Sequence, residues 1–424
     1  MNLKDIDQHW DLIVIGGGIT GAGVLREAGR MGLKTLLVEQ KDFAWGTSSR
    51  SAKLVHGGLR YLKEGKFLLT RESVIGRERL LKEAPGLVEP LEFLMPMYAG
   101  RGPGKWAMRI GLTVYDLMAG KKRHSFRSAE QVTALAPGIK QDGLTGGFRF
   151  VDAQVDDARL VLRLIRESIR DGACALNYTS VVQVMRDARS RVVGATLEDA
   201  ESHETRELSA RAVINATGAW AERLHPSPEP GKHLRPLRGS HLVFPASVLP
   251  VGRAIALTHP TDRRPVYVLP WEGVILFGTT DVDHPEDISY EPAITPEEAG
   301  YLMHALEVFF PSLRISLADC ISTFAGIRAV LSEGKRAPSQ ESREHVVWVD
   351  NGLVTVTGGK LTTFYRLAWT RSRLPSPSLQ PRLPNRQRDL CLRPRLKRFP
   401  VRKDFPKKSR LGSSAVTGWM LWSC

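Results

Sequence analysis

Two glycine-rich stretches and a scatter of histidines, arginines and lysines carry the chemical potential of this chain. The first stretch is Gly16-Gly-Gly-Ile-Thr-Gly21, spaced as G-x-G-x-x-G, with Glu39 further on. Gly16 permits a tight turn, Gly18 lets a pyrophosphate approach the backbone, and Gly21 lets a helix press against a sheet. Unpaired N–H groups at the helix start attract an anion, and a carboxylate at Glu39 suits ribose hydroxyls. The pattern predicts a bound dinucleotide without separating NAD from FAD.

The second stretch, His56-Gly-Gly-Leu-Arg60-Tyr61, sets a base, two flexible residues, a cation and a phenol side by side. The glycines let His56 approach a planar ring, and the planar fork of Arg60 suits a phosphate or carboxylate. A surface loop with incidental charge is the alternative. Arg328, Arg343 and Lys360 add three cations beside glycines or strand ends. They form an anion pocket if their elements meet at the carboxyl ends of the sheet strands. His241, after Gly239-Ser240, is either a general base facing a cofactor or a hydrogen-bonded structural histidine. Asp281 and Asp283 read as shaping the turn after Gly278-Thr-Thr280. No metal-ligand cluster accompanies them. The four cysteines contain no C-x-x-C pair, so the expectation is no metal, no disulfide framework and a reducing compartment.

The elements that must position these groups follow from periodicity. Asp11–Ile15 is a strand, a helix runs from the glycine turn to about Arg30, and Lys34–Val38 is a second strand ending at Glu39. Helices are expected over 67–82, 105–119, from Val151 to about Arg170, and over 296–310. Strands are expected over 93–98, near Ala175, and over 181–185, 192–197 and 211–217. Short apolar runs between turn residues give 233–284 an antiparallel β character. Gly352–Leu361 repeats the opening grammar of strand, glycine turn and helix start. The helix over 105–119 has an apolar face of Trp106, Ile110, Val114, Leu117 and Met118 with basic residues at both ends. Two readings stay open for it: lying on an anionic membrane surface, or packing on the body.

The formal charge of +15 over 424 residues suggests nucleic-acid binding until it is located. Residues 370–424 hold 14 Lys and Arg against 2 Asp and Glu, so the basic excess belongs to the tail and the body is close to neutral. No nucleic acid is expected as a partner. Seven prolines lie between Pro375 and Pro406, and such a segment buries too little apolar surface to stay ordered. The N-terminus has no apolar stretch of a secretory signal, and no run of 18 apolar residues predicts a membrane span.

Taken together, these residues resemble the FAD-dependent glycerol-3-phosphate dehydrogenases, the respiratory flavoenzymes. The match is carried by 15–23, by Ser51–Leu62 with its His56-Gly-Gly-Leu-Arg motif, by Asp152-Ala-Gln-Val-Asp-Asp-Ala-Arg-Leu160 and by Gly358–Thr363. Asn215–Trp220 and Gly278–Asp281 also fit, and the likeness covers roughly residues 8–368. It implies an α/β fold: a Rossmann-like FAD-binding domain (8–75, 150–225 and 320–369), a β-rich substrate or cap domain (76–149 and 226–319) and a disordered tail (370–424). It implies oxidation of sn-glycerol 3-phosphate to dihydroxyacetone phosphate, with electrons passing from FAD to a membrane quinone. By this resemblance Gly16, Gly18, Gly21, Glu39, Ser48, Ser51, Lys53, Leu54, Gly218 and Gly359 hold FAD. Arg60, Tyr61, Arg328, Arg343 and Lys360 bind the substrate, while His56, His241 and Arg328 serve catalysis. The implied location is cytoplasmic, attached peripherally to the inner face of the membrane, with a homodimer left open. Thr363-Phe-Tyr-Arg366 has one residue more than the family's T-[FY]-R, and the Arg/Pro-rich tail stands where a helical domain is expected. The reading is a truncated or frameshifted member. The rivals are a glycerol-3-phosphate oxidase, an amine or amino-acid oxidase, and an inactive chain.

Overall fold

A computed structural model of the chain describes residues 2–225, 233–332, 345–362 and 364. Arg343, the segment 370–424 and the junction near Tyr365 lie outside those residues, as does nearly all of the helix expected after Gly359.

Two sheets organise the described residues. The run Leu12–Ile15 is buried throughout, as a strand covered on both faces must be. Its strand, His9–Ile15, lies between Thr35–Val38 and Thr205–Asn215, parallel to both. Cys174–Leu176 and Leu353–Gly358 extend the parallel set on either side. The carboxyl ends of these five strands therefore share one edge, where open α/β sheets bind ligands. His345–Asp350 closes one side antiparallel, and the hairpin of Thr179–Arg186 and Val192–Asp199 pairs with the first half of Thr205–Asn215. The helices Ile19–Arg30 and Asp157–Arg170 cover the sheet through Ala22, Leu25, Leu160 and Leu164, which pack with Leu12, Val14 and Leu37. Each of these leucines contributes roughly 1.5–3 kcal/mol on burial.

The second sheet is antiparallel except where Ala254–Thr258 meets Val88–Tyr98. Two of its pairings run along eleven residues each: His233–Pro245 with Ser322–Ser332, and Val88–Tyr98 with Leu144–Val155. The helix Pro296–Phe309 covers one face with Leu302, Leu306 and Phe309 against Leu242, Phe244 and Phe277. On the other face Phe93, Phe148 and Phe150 pack with Leu112 of the helix Lys105–Ala119. That helix turns Leu112 and Tyr115 inward and leaves Trp106, Ile110 and Leu117 exposed at 71%, 64% and 75%. Among the described residues no helix is long and apolar enough to cross a membrane.

One expected element is corrected. Residues 151–155 do not open a helix; they end the strand Leu144–Val155, and the helix begins at Asp157. Asp156 caps it, accepting from the Arg159 amide at 3.1 Å. The strand alternates Phe148, Phe150 and Asp152 inward. A buried aspartate in that row hides the period-two signal.

Candidate active site

The glycine turn forms where the opening strand meets its helix. Gly16 has φ +107°, and a Cβ there would stand 2.7 Å from the Ala216 carbonyl oxygen. A side chain at Gly21 would run into the Gly16 carbonyl. Gly18 precedes the helix, and the Ile19 amide donates to Ser48 Oγ at 2.9 Å. Glu39 accepts from the amides of Gly17 at 2.7 Å and Lys41 at 2.9 Å. Burial raises its pKa, while the amides of Lys41, Gly17 and Gln40 hold it back. Gly16, Gly18, Glu39 and Ser48 line a cavity of about 1640 Å³. That exceeds the ~300–1,000 Å³ of a common small-ligand site and suits a dinucleotide with a substrate. The close approach at Gly16 and the pinned acid at Glu39 fit such a group.

Two aspartates pin the segment that follows. Asp157, fully buried, accepts from Ser51 N at 3.1 Å and Ser51 Oγ at 2.6 Å, and pairs with Lys53 Nζ at 2.7 Å. Asp152 accepts from the Gly57 amide at 3.2 Å and the Tyr115 hydroxyl at 2.7 Å, and forms a buried ion pair with Arg77. The His56-Gly57-Gly58 turn is therefore held from the neighbouring strand. Sequence reasoning did not assign these roles. Its available signal was the carboxylate spacing of Asp152, Asp156 and Asp157 at a strand–helix junction.

Lys53 is held differently from its neighbours Ser51 and Leu54. Its ammonium also donates to the Ser49 carbonyl at 2.6 Å, and the residue is not on the cavity wall, whereas Ser51 and Leu54 are. The Asp157 carboxylate draws it away. Gly21 is likewise off the wall, packed between helix and turn.

Arg60 and Tyr61 sit on the short helix Leu59–Lys63, which follows Gly58 at φ +74°. Lys360 Nζ stands 3.7 Å from the Tyr61 ring centre and 3.3 Å from Ser73 Oγ. Arg60 Cζ is 5.6 Å from the same ring, and its Nε pairs with Glu64 at 2.9 Å. The buried ring thus gathers two cations from distant parts of the chain. Arg328 crosses Gly239, where a Cβ would lie 2.5 Å from its Cζ. Its Nη1 donates to Asp281 Oδ1 at 3.0 Å and the Thr280 carbonyl at 3.2 Å, and its Nη2 to Thr279 Oγ1 at 3.0 Å. His56, Arg60, Tyr61, Arg328 and Lys360 line the cavity that holds the glycine turn, as do Gly218 and Gly359. So do Arg263 and Arg264, which sequence reasoning missed. Arg264 pairs with Asp262 at 2.7 Å and donates to the Asp281 carbonyl at 2.8 Å. The run Asp262-Arg-Arg264 in a β-turn was the signal. Asp283 instead pairs with Arg235, at 2.5 Å.

His241 lies apart from these groups. It is 1% exposed, stacked on Phe324 at 4.6 Å, and not on the cavity wall. Neither ring nitrogen has a hydrogen-bond partner among the described residues. Burial, aided by the charges of Arg328 and Lys53, pushes its pKa down to about 3. It stays neutral at pH 7, and the strand register that buries it also keeps it from the wall. Among the described residues no cluster of His, Cys, Asp and Glu is arranged to hold a metal ion.

Residues 11–365 match the family described as FAD dependent oxidoreductase. The aerobic glycerol-3-phosphate dehydrogenase of Bacillus subtilis is 39% identical over 367 residues, which make 85% of this chain and 65% of that protein. A solved glycerol-3-phosphate dehydrogenase from Bacillus halodurans, complexed with FAD, is 32% identical with a TM-score of 0.70. The match covers 86% of this chain and 63% of that one. The L-alpha-glycerophosphate oxidase of Mycoplasma pneumoniae, at 18% identity and TM-score 0.66, covers 89% of this chain and 100% of its own. That last likeness concerns the fold alone. The chain thus spans about two thirds of the length of its dehydrogenase relatives.

Proposed function

This chain belongs to the FAD dependent oxidoreductase family, and we propose that within it the protein oxidises sn-glycerol 3-phosphate to dihydroxyacetone phosphate and delivers the electrons to a membrane quinone. The observation that carries the reading is the meeting of Arg60, Lys360, Arg328 and His56 on the wall that also holds the glycine turn. Relatives named aerobic glycerol-3-phosphate dehydrogenase support the choice of substrate. The division into a cofactor-binding and a substrate-binding unit is part of the same proposal.

FAD, when bound, supplies the hydride acceptor for C2 of the substrate. The chain's residues do the rest. Gly16, Gly18 and Ser48 would hold the pyrophosphate, Glu39 the ribose, and Ser51, Leu54, Gly218 and Gly359 the remainder of the cofactor. Arg60, Arg328 and Lys360 bind the phosphate dianion, with guanidinium forks fixing its orientation. Tyr61 holds two of these cations in place. His56 takes the C2 hydroxyl proton as the alcohol becomes a ketone. The exposed apolar residues Trp106, Ile110 and Leu117 support attachment to a membrane surface.

The test is an absorbance spectrum of the purified protein before and after anaerobic glycerol 3-phosphate. Bleached flavin bands are expected, with no bleaching by glycine. Bleaching by glycine alone overturns the substrate. A spectrum without flavin bands favours an inactive chain. Peroxide formed in air without quinone replaces the quinone by oxygen.

A further inference from the structure

Behind the 279–281 segment that holds Arg328, off the cavity wall, lies a buried carboxylate that none of the catalytic roles above uses. Glu298 is 4% exposed and sits in the first turn of the helix Pro296–Phe309. It accepts from Thr280 Oγ1 at 2.6 Å, Ser240 Oγ at 2.9 Å, Arg238 Nε at 2.9 Å and the Thr295 amide at 3.1 Å. Thr280 Oγ1 accepts in turn from the Ser240 amide at 2.8 Å. The segment 279–281 is therefore tied through one hydroxyl to a charged, fully engaged anchor. That same segment presents three acceptors to the Arg328 guanidinium: Thr279 Oγ1, the Thr280 carbonyl and Asp281 Oδ1.

We propose that Glu298 is a positioning residue for Arg328, holding the 279–281 segment so that the guanidinium is aimed at the substrate phosphate. This rests on reading Arg328 as a phosphate-binding group. Neither Glu298 nor Thr280 lines the cavity, so the effect passes through Thr280 to the three acceptors. A buried hydrogen bond to a charged group is worth enough to hold a segment of this size, and small displacements of a binding group are felt strongly.

The experiment is calorimetric titration of inorganic phosphate into the FAD-loaded full chain, with melting temperature and flavin content followed in parallel. Thr280→Val, which keeps shape and removes the hydroxyl, is expected to weaken phosphate binding about tenfold while retaining flavin. Thr280→Ser is expected to restore it, which a packing role would not do. Arg328→Lys is expected to weaken binding similarly, and so is Glu298→Gln. Should Glu298→Gln fail to fold, the two Thr280 variants carry the test. Parent-like phosphate binding by Thr280→Val overturns the proposal, as does parent-like binding by Arg328→Lys or no binding by the parent. Glycerol 3-phosphate bleaching of the parent is measured separately. Its absence alongside the expected phosphate pattern removes the substrate reading and leaves the positioning role standing.

Discussion

His56 lines the cavity while His241 lies buried against Phe324, and the two imidazoles therefore face opposite demands. A base that takes a proton in the transition state is worth about 10²–10⁴-fold in rate. His56→Asn is thus expected to lower the anaerobic rate of flavin reduction by that order at saturating glycerol 3-phosphate, with little change in its Kd. A parent-like rate in rapid-mixing measurements would remove His56 from catalysis. For His241 the consequence is stability. Its folded pKa is about 3 against an ordinary 6.5, so below pH 6.5 the unfolded chain binds the proton and the folded chain does not. Stability is complete above pH 6.5 and is lost as pH falls toward 3, by up to about 1.4 kcal/mol per pH unit. His241→Phe is expected to flatten this decline between pH 7 and 5 in denaturant melts. Parallel declines in parent and variant would contradict it.

The helix Asp157–Arg170 does more than cover the first sheet, because its first residue reaches the segment that lines the cavity. Asp157 holds the Ser51 amide and hydroxyl and neutralises the nearly buried Lys53. Removing one partner of a buried ion pair leaves an uncompensated charge and costs about 3–5 kcal/mol. Asp157→Asn is expected to lose stability by that order and to release flavin on dilution, read by denaturant melts and gel filtration at 450 nm. Melts that match the parent would show that the pair carries little. The preceding strand Leu144–Val155 does equivalent work, since Asp152 holds the turn after His56. Strand and helix together clamp both ends of one binding segment.

On the protein's surface, among the described residues, the helix Lys105–Ala119 leaves large apolar residues exposed. Trp106 and Leu117 are exposed and lie off the cavity wall, with basic residues at both ends of the helix. Apolar burial and cationic attraction add for a helix lying in an anionic interface. The double variant Trp106→Asp with Leu117→Asp is expected to stop sedimenting with phosphatidylglycerol vesicles while still being bleached by glycerol 3-phosphate in solution. Cosedimentation equal to the parent's would place the membrane contact elsewhere.

The opening strand, glycine turn, helix and second strand were legible because their chemistry is contained in consecutive residues. A positive φ at Gly16 and a run of apolar residues need no distant partner to be recognised. The same holds for the α/β class and for the cations beside glycines. What the linear order left open is which groups share one space. Lys53 and Asp157 are 104 residues apart, Arg328 and Asp281 47, Lys360 and Ser73 287. Those partnerships follow from strand register and helix packing, which bring remote segments together by burying apolar surface rather than by local preference. Hence only the folded chain turns Lys53 from the wall, stacks His241 on Phe324 and joins Glu298 to Thr280.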